Sequence, residues 1–174
     1  MFSSWAFILI GNNDTGKTSF QKYLVAELCN VHYERLRRNI VTQVNHRRAP
    51  RKWDTLFTCN RSFQETLDQY QSVENYFENF FQDADKCFLS SHSHGGAREH
   101  VAQVIRELQR RHFNVAGVFW SNAFDEEART ISLLPWQERL WIDNPVEEDT
   151  AIEGQLRRLA REFTELLIER SRAL

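Results

Sequence analysis

The stretch WAFILIGNNDTGKTSF, residues 5 to 20, constrains this chain more than any other. A short apolar run, Trp5 to Ile10, reads as a buried strand stopped by Gly11. Five residues on, Gly16 leads directly into Lys17 and Thr18. Phe20, Leu24 and Leu28 then recur at four-residue spacing, one face of a helix expected to end near Asn30. The two glycines let the backbone between them curl so that successive N–H groups point at an anion. The helix that starts there adds the positive end of its dipole.

GNNDTGKT matches G-x-x-x-x-G-K-[ST] at every fixed position, with a strand expected before it and a helix after it. On these residues the chain resembles the P-loop NTPase superfamily, whose Walker A motif this is. The resemblance implies that Gly11, Asn12, Asn13, Asp14, Thr15, Gly16, Lys17, Thr18 and Ser19 hold ATP or GTP. It also implies that Lys17 reaches the β- and γ-phosphates and that Thr18 ligates Mg²⁺ through its hydroxyl. Asp14 does not suit gripping phosphate by charge and is expected to point outward or cap the loop. The specific likeness covers the first 30 residues; the remainder is generic alternation.

Further strands are expected at TLFTCN (residues 55–60), KCFLSS (86–91), NVAGVFW (114–120) and, shorter, RLWID (139–143). Between them Phe63, Leu67 and Tyr70, then Val73 and Phe77, then Val101, Val104 and Leu108 fall at helical spacing. Ser62 and Glu65 match a capping box. From about Glu148 a long helix carries Ile152, Leu156, Leu159, Phe163 and Leu166. Continuous apolar strands alternating with helices predict a three-layer α/β/α sandwich around a mainly parallel, five-stranded sheet. By resemblance it is of the P-loop nucleoside triphosphate hydrolase type, one domain over residues 1–174. Residues 31–53 form a polar, basic excursion in which Ile40, Val41 and Val44 hint at one irregular element.

Thirteen Phe and five Trp supply enough large apolar side chains for a core without disulfides. The three cysteines, Cys29, Cys59 and Cys87, are widely spaced and odd in number, which fits a reducing compartment. A net charge of −2 gives no general pull toward nucleic acid or membrane, and no segment approaches a membrane span. A cytoplasmic protein, monomer or homodimer, is the expectation.

In an open parallel sheet ligands sit beyond the carboxyl ends of the strands. Those ends carry Asn60 and Arg61, then Ser90 to His94, then Ser121 and Asn122, then Asp143 and Asn144. Most P-loop enzymes place an acidic residue at one such end to order the Mg²⁺ shell. Here the most apolar strand ends in serines and a histidine, as in some small-molecule kinases of the superfamily, which shifts weight toward a kinase. SNAFD (121–125) and HSHG (92–95) only partly match guanine-nucleotide motifs, and the spacing between them is too short for a small GTPase.

Arg35, Arg37, Arg38, Arg47, Arg48 and Arg51 crowd the basic excursion with almost no acid beside them. Guanidinium forks suit anionic groups, so Arg38, Arg47, Arg48 and Arg51, with Arg61, are candidates for binding a phosphate acceptor. Residues 123–138 lie where a kinase lid closes, with Arg129 and Arg139 near its ends. They equally fit a surface helix with Trp136 in the core. His92 and His94 lack a third metal ligand at convincing spacing and either line the nucleotide site or face solvent. Lys17 is the expected catalytic cation, and Asp143 and His92 are candidate proton acceptors.

Two functions follow. One is an ATP-binding phosphotransferase acting, with Mg²⁺, on a nucleotide or small anionic metabolite. The other is an ATPase or GTPase switch, or a regulatory NTP-binding module, acting on a protein or RNA partner.

Overall fold

Neighbouring residues of the strand Trp5–Ile10 (β1) point into different cores. Ala6, Ile8 and Ile10 join one apolar cluster, and Phe7 and Leu9 join another, so both faces of the strand are covered. The computed structural model describes residues 4–145 and 148–172. Around β1 the strands Ile40–Gln43 (β2), Thr55–Ser62 (β3), Lys86–Ser91 (β4), Asn114–Trp120 (β5) and Glu138–Ile142 (β6) build one sheet in the order β2-β3-β4-β1-β5-β6. Every pairing is parallel except β2 with β3. Ile10 lies level with Ser91 of β4 and Phe119 of β5, so these three strands end together.

On one face, Lys17–Cys29 (α1) and Asp149–Arg172 (α6) bury Phe20, Leu24, Leu28, Leu156, Ala160, Phe163 and Leu167. On the other lie Val73–Asn79 (α3), Ala97–Arg110 (α4) and Glu126–Ser132 (α5), whose Phe77, Val101, Ile105, Leu108 and Ile131 fill the opposite core. The α/β class and the helix-flanked, mostly parallel sheet are as expected. The strand count is not: among the described residues there are six strands rather than five. The additional one, β2, is a four-residue antiparallel edge with only partial burial. Such an edge needs no continuous apolar run, so its sequence does not stand out.

The apolar pattern over residues 63–81 predicts helix but yields three pieces. A 3-10 turn, Phe63–Thr66, runs into the single helical turn Leu67–Tyr70 (α2). Gln71, with φ of 62°, then breaks the path before α3. The expected Ser62–Glu65 capping box does not form, because Ser62 makes no side-chain cap bond. The working cap is Ser72, whose Oγ accepts from the Asn75 N–H at 3.1 Å. Among the described residues no helix is long and apolar enough to cross a membrane.

One buried charge stands out at the amino end of β4. Lys86 is 5% exposed, with Nζ 4.5 Å from the centre of the Trp53 ring and donating to the Asp85 carbonyl at 3.2 Å. Burial depresses its ammonium to about 8. Lys86→Met is therefore expected to raise the unfolding free energy at pH 7 by about 2 kcal/mol, the relieved burial cost less the lost ring contact. Because the folded-state value lies below the unfolded one, the wild type gains stability as pH rises through 8 toward 10.5, and the gap to the variant closes. Urea titrations at pH 7 and at about pH 10 check this, and coincident midpoints at pH 7 would refute it.

Candidate functional site

Beyond β1, the Gly11 N–H still donates to the Ser91 carbonyl at 3.1 Å, after which the chain curls. Thr15 Oγ1 donates to the Asn12 carbonyl at 2.7 Å, and a Cβ on Gly11 would lie 2.9 Å from that same Oγ1. Gly16 caps α1 at φ of 99°, and a Cβ there would lie 2.8 Å from Leu156 of α6. The backbone angle therefore favours glycine at position 16, and Leu156 would have to shift to admit a side chain there. Lys17, the first residue of α1, folds back into the curl. Its Nζ donates to the Gly11 carbonyl at 2.5 Å and to the Asn12 carbonyl at 2.7 Å.

Lys17 is 7% exposed, and among the described residues no carboxylate lies within ion-pair distance of it. Burial lowers its ammonium to about 8, a depression opposed by the charges of Glu65 and Asp14. The amine is thus buried, with two carbonyl oxygens as its direct partners and two carboxylates acting from farther away. Asp14 is exposed, with φ of 61°.

Neighbouring strand ends brace the curl. Asn144, just past β6, donates from Nδ2 to the Thr15 carbonyl at 3.1 Å and accepts from Gln155 of α6. Its own N–H donates to Ser121 Oγ beyond β5. On another side Asn12 Oδ1 accepts from the Ser93 N–H and hydroxyl, and Asn12 Nδ2 donates to Asp125. Behind α1, buried Gln21 donates to Ser90 Oγ at 2.8 Å.

An open cleft of about 1650 Å³ runs beside the loop. Residues 13–19 line it, together with residues 32–38 of the basic excursion, Asn60 and Arg61 near the end of β3, and Glu65 and Thr66 in the turn that follows. Leu36, 4% exposed, anchors the basic segment in the core, and Asn60 Nδ2 donates to its carbonyl at 3.1 Å. Arg35, Arg37 and Arg38 around it are exposed. Four arginines, Arg35, Arg37, Arg38 and Arg61, therefore line one cavity with the glycine-bounded loop, an arrangement suited to anions.

Of the candidate acceptor-binding residues, Arg38 and Arg61 line the cleft. Arg47, Arg48 and Arg51 do not, and Arg48 pairs instead with Glu165 of α6 at 2.6 Å. Arg35 and Arg37 take part in their place. Thr18 lies on the cleft, its hydroxyl donating to the Asn60 carbonyl at 3.2 Å. Asp143 is exposed and outside the cleft lining, whereas its neighbour Asn144 is buried under the loop.

His92 is buried, with Nε2 2.8 Å from Glu65 Oε1, and it touches the cleft only through that carboxylate. Residues 123–138 include α5, with Trp136 buried and its Nε1 donating to the Ile131 carbonyl. Arg139 ties back to the Ser132 and Leu134 carbonyls. Of the two alternatives for this segment, the structure has the surface helix with Trp136 in the core.

Sequence reasoning assigned Glu65 to a cap and, although Asn144 stood among the strand-end residues, favoured Asp143 beside it. The signal for Glu65 was the strand-end rule extended by one turn. Among the described residues no cluster of three or more His, Cys, Asp or Glu side chains converges.

Asn144→Ala is expected to lower unfolding free energy by about 2 kcal/mol, since the Thr15 carbonyl and the Gln155 amide both lose a buried partner. A shifted denaturation midpoint with unchanged slope is the readout, and a midpoint equal to wild type would show that the brace is not needed. No protein-family model, curated protein or solved structure matches this chain.

Proposed function

We propose that the protein is a P-loop phosphotransferase. On this reading residues 11–19 hold a magnesium nucleoside triphosphate, ATP first and GTP as the alternative. The γ-phosphoryl group passes to a nucleotide or small anionic metabolite bound along the arginine-bearing wall. The observation that carries the reading is the shared cleft: the curled loop with its buried Lys17 opens onto the same space as Arg35, Arg37, Arg38 and Arg61.

The residues present fit the nucleotide. The donor set is one ammonium, a threonine hydroxyl and a glycine-bounded curl at a helix start, and a Cβ on Gly11 would crowd Thr15 inside that curl. A bound magnesium nucleotide supplies the phosphoryl group and neutralises part of its charge. Lys17 exchanges its two carbonyl contacts for phosphate oxygens, and Thr18 offers its hydroxyl to the metal. The arginines orient the acceptor by paired hydrogen bonds. Positioning and electrostatics account for most of the acceleration in such chemistry.

One observation favours the switch reading. The Thr18 hydroxyl donates to the Asn60 carbonyl, and Asn60 in turn donates to Leu36 at the centre of the basic segment. Engaging Thr18 with a metal would release the first of these bonds, so nucleotide state has a short route to Arg35–Arg38. Stimulation of turnover by small anionic metabolites supports the phosphotransferase, and stimulation by a protein or RNA supports the switch.

Thermal-shift titration with magnesium ATP and GTP tests the shared premise. The wild type should be stabilised by one of them, and Lys17→Ala should abolish the shift while remaining folded. Because the Lys17 ammonium of the free protein titrates at about 8, affinity should fall about tenfold between pH 7 and pH 9 as the charged form is lost. An affinity that is flat across this range, together with an undiminished thermal shift in Lys17→Ala, would exclude Lys17 as the phosphate cation.

A further inference from the structure

We infer that Glu65, held by His92, is the acidic group of the magnesium site and stands in for the aspartate missing from the end of β4. The inference rests on the phosphate-loop reading above and assigns the carboxylate which that reading leaves open.

The strand ends provide no better candidate. At the end of β4, Ser90 accepts from Gln21, and Ser91 donates to the His92 carbonyl. Asp143 is exposed and outside the cleft. Asp125 accepts from the Ala128 N–H as the cap of α5 and does not line the cleft. Asp14 and Glu34 line the cleft but are exposed, and no ion pair anchors either among the described residues.

Glu65 differs from these in being both present at the cleft and fixed. The 3-10 turn Phe63–Thr66 carries it past the end of β3. There Oε1 meets Nε2 of His92, the first residue after β4, at 2.8 Å. His92 is itself held: it is 6% exposed, and its N–H faces Gln64 Oε1. A carboxylate from one strand's exit is thus delivered to the exit of the next. Arg61 approaches the other oxygen, Oε2, only at 3.7 Å and is half-exposed. One oxygen is therefore spent on positioning, and one remains for a cation.

The charge pattern agrees. Of the two carboxylates whose fields reach the Lys17 ammonium, Glu65 acts more strongly than Asp14. Magnesium commonly takes one or two protein oxygens, with phosphate oxygens and water completing the octahedron. Thr18 and Glu65 on the same cleft supply that number. His92 is a positioning residue, acting through Glu65 in the way that outer hydrogen bonds orient metal-binding carboxylates.

Calorimetric titration of ATP and of GTP, each with Mg²⁺ and with EDTA, tests the assignment on the wild type, Glu65→Gln, His92→Gln and Asp143→Asn. The wild type should bind more tightly with Mg²⁺. Glu65→Gln, whose amide oxygen still accepts from His92, should lose about tenfold of that magnesium-dependent gain. In EDTA it should bind as well as wild type or better, because a negative charge beside the triphosphate has gone. A variant that merely perturbed folding would weaken both conditions together. His92→Gln should lose part of the gain, and Asp143→Asn should keep all of it. A full magnesium gain in Glu65→Gln, or its loss in Asp143→Asn, would overturn the assignment. If the wild type binds neither nucleotide under either condition, the phosphate-loop reading itself fails, and the two failures are thereby distinguished.

Discussion

Two backbone carbonyls converging on one buried ammonium define the centre of this molecule. Gly11 and Asn12 point their oxygens at Lys17 Nζ because the chain turns sharply between two glycines, and Thr15 closes the turn from inside. A lysine buried this far, without a carboxylate against it, is costly unless dipoles take over. The cost is offset locally by those carbonyls and from a distance by Glu65 and Asp14. A cation so placed is already desolvated, and its two carbonyl contacts fix where it points.

The sheet order explains why so many elements bear on one short loop. β1 lies between β4 and β5, and the chain fills one side of it before crossing to the other. At such a reversal the exits of neighbouring strands surround a common opening. Here each exit contributes differently. β3 leads to Asn60 and Glu65, β4 to His92 and Ser93, β5 to Ser121 and Asp125, and β6 to Asn144. Most of these side chains hold other protein groups in place rather than facing the cleft, so the loop is a supported structure more than a flexible strap.

The fold was legible where burial is two-sided. β1, β4 and β5 are read directly from continuous apolar runs, and the faces of α1 and α4 from their spacing. Legibility failed where an element is half-covered or polar. β2 is an edge whose Ile40 and Val41 are only partly buried, and the pieces after β3 share one apolar period although Gln71 interrupts the backbone between them. The loop itself was visible because its glycines and lysine stand at the fixed spacing of a known motif. Its braces were not, since an asparagine under a loop and an asparagine on a surface look alike in one sequence. Arginine clustering likewise identified a basic region without telling which members turn inward: Arg38 lines the cleft, whereas Arg48 reaches Glu165.

The contact between Gly16 and Leu156, and the bond from Asn144 to a carbonyl 129 residues earlier, bear on how the protein is made. On a ribosome the strand, loop and first helix emerge well before the side chains that wedge and tether them. During elongation the leading segment therefore lacks its backstop. The support of the loop is complete only when α6 emerges and settles against α1.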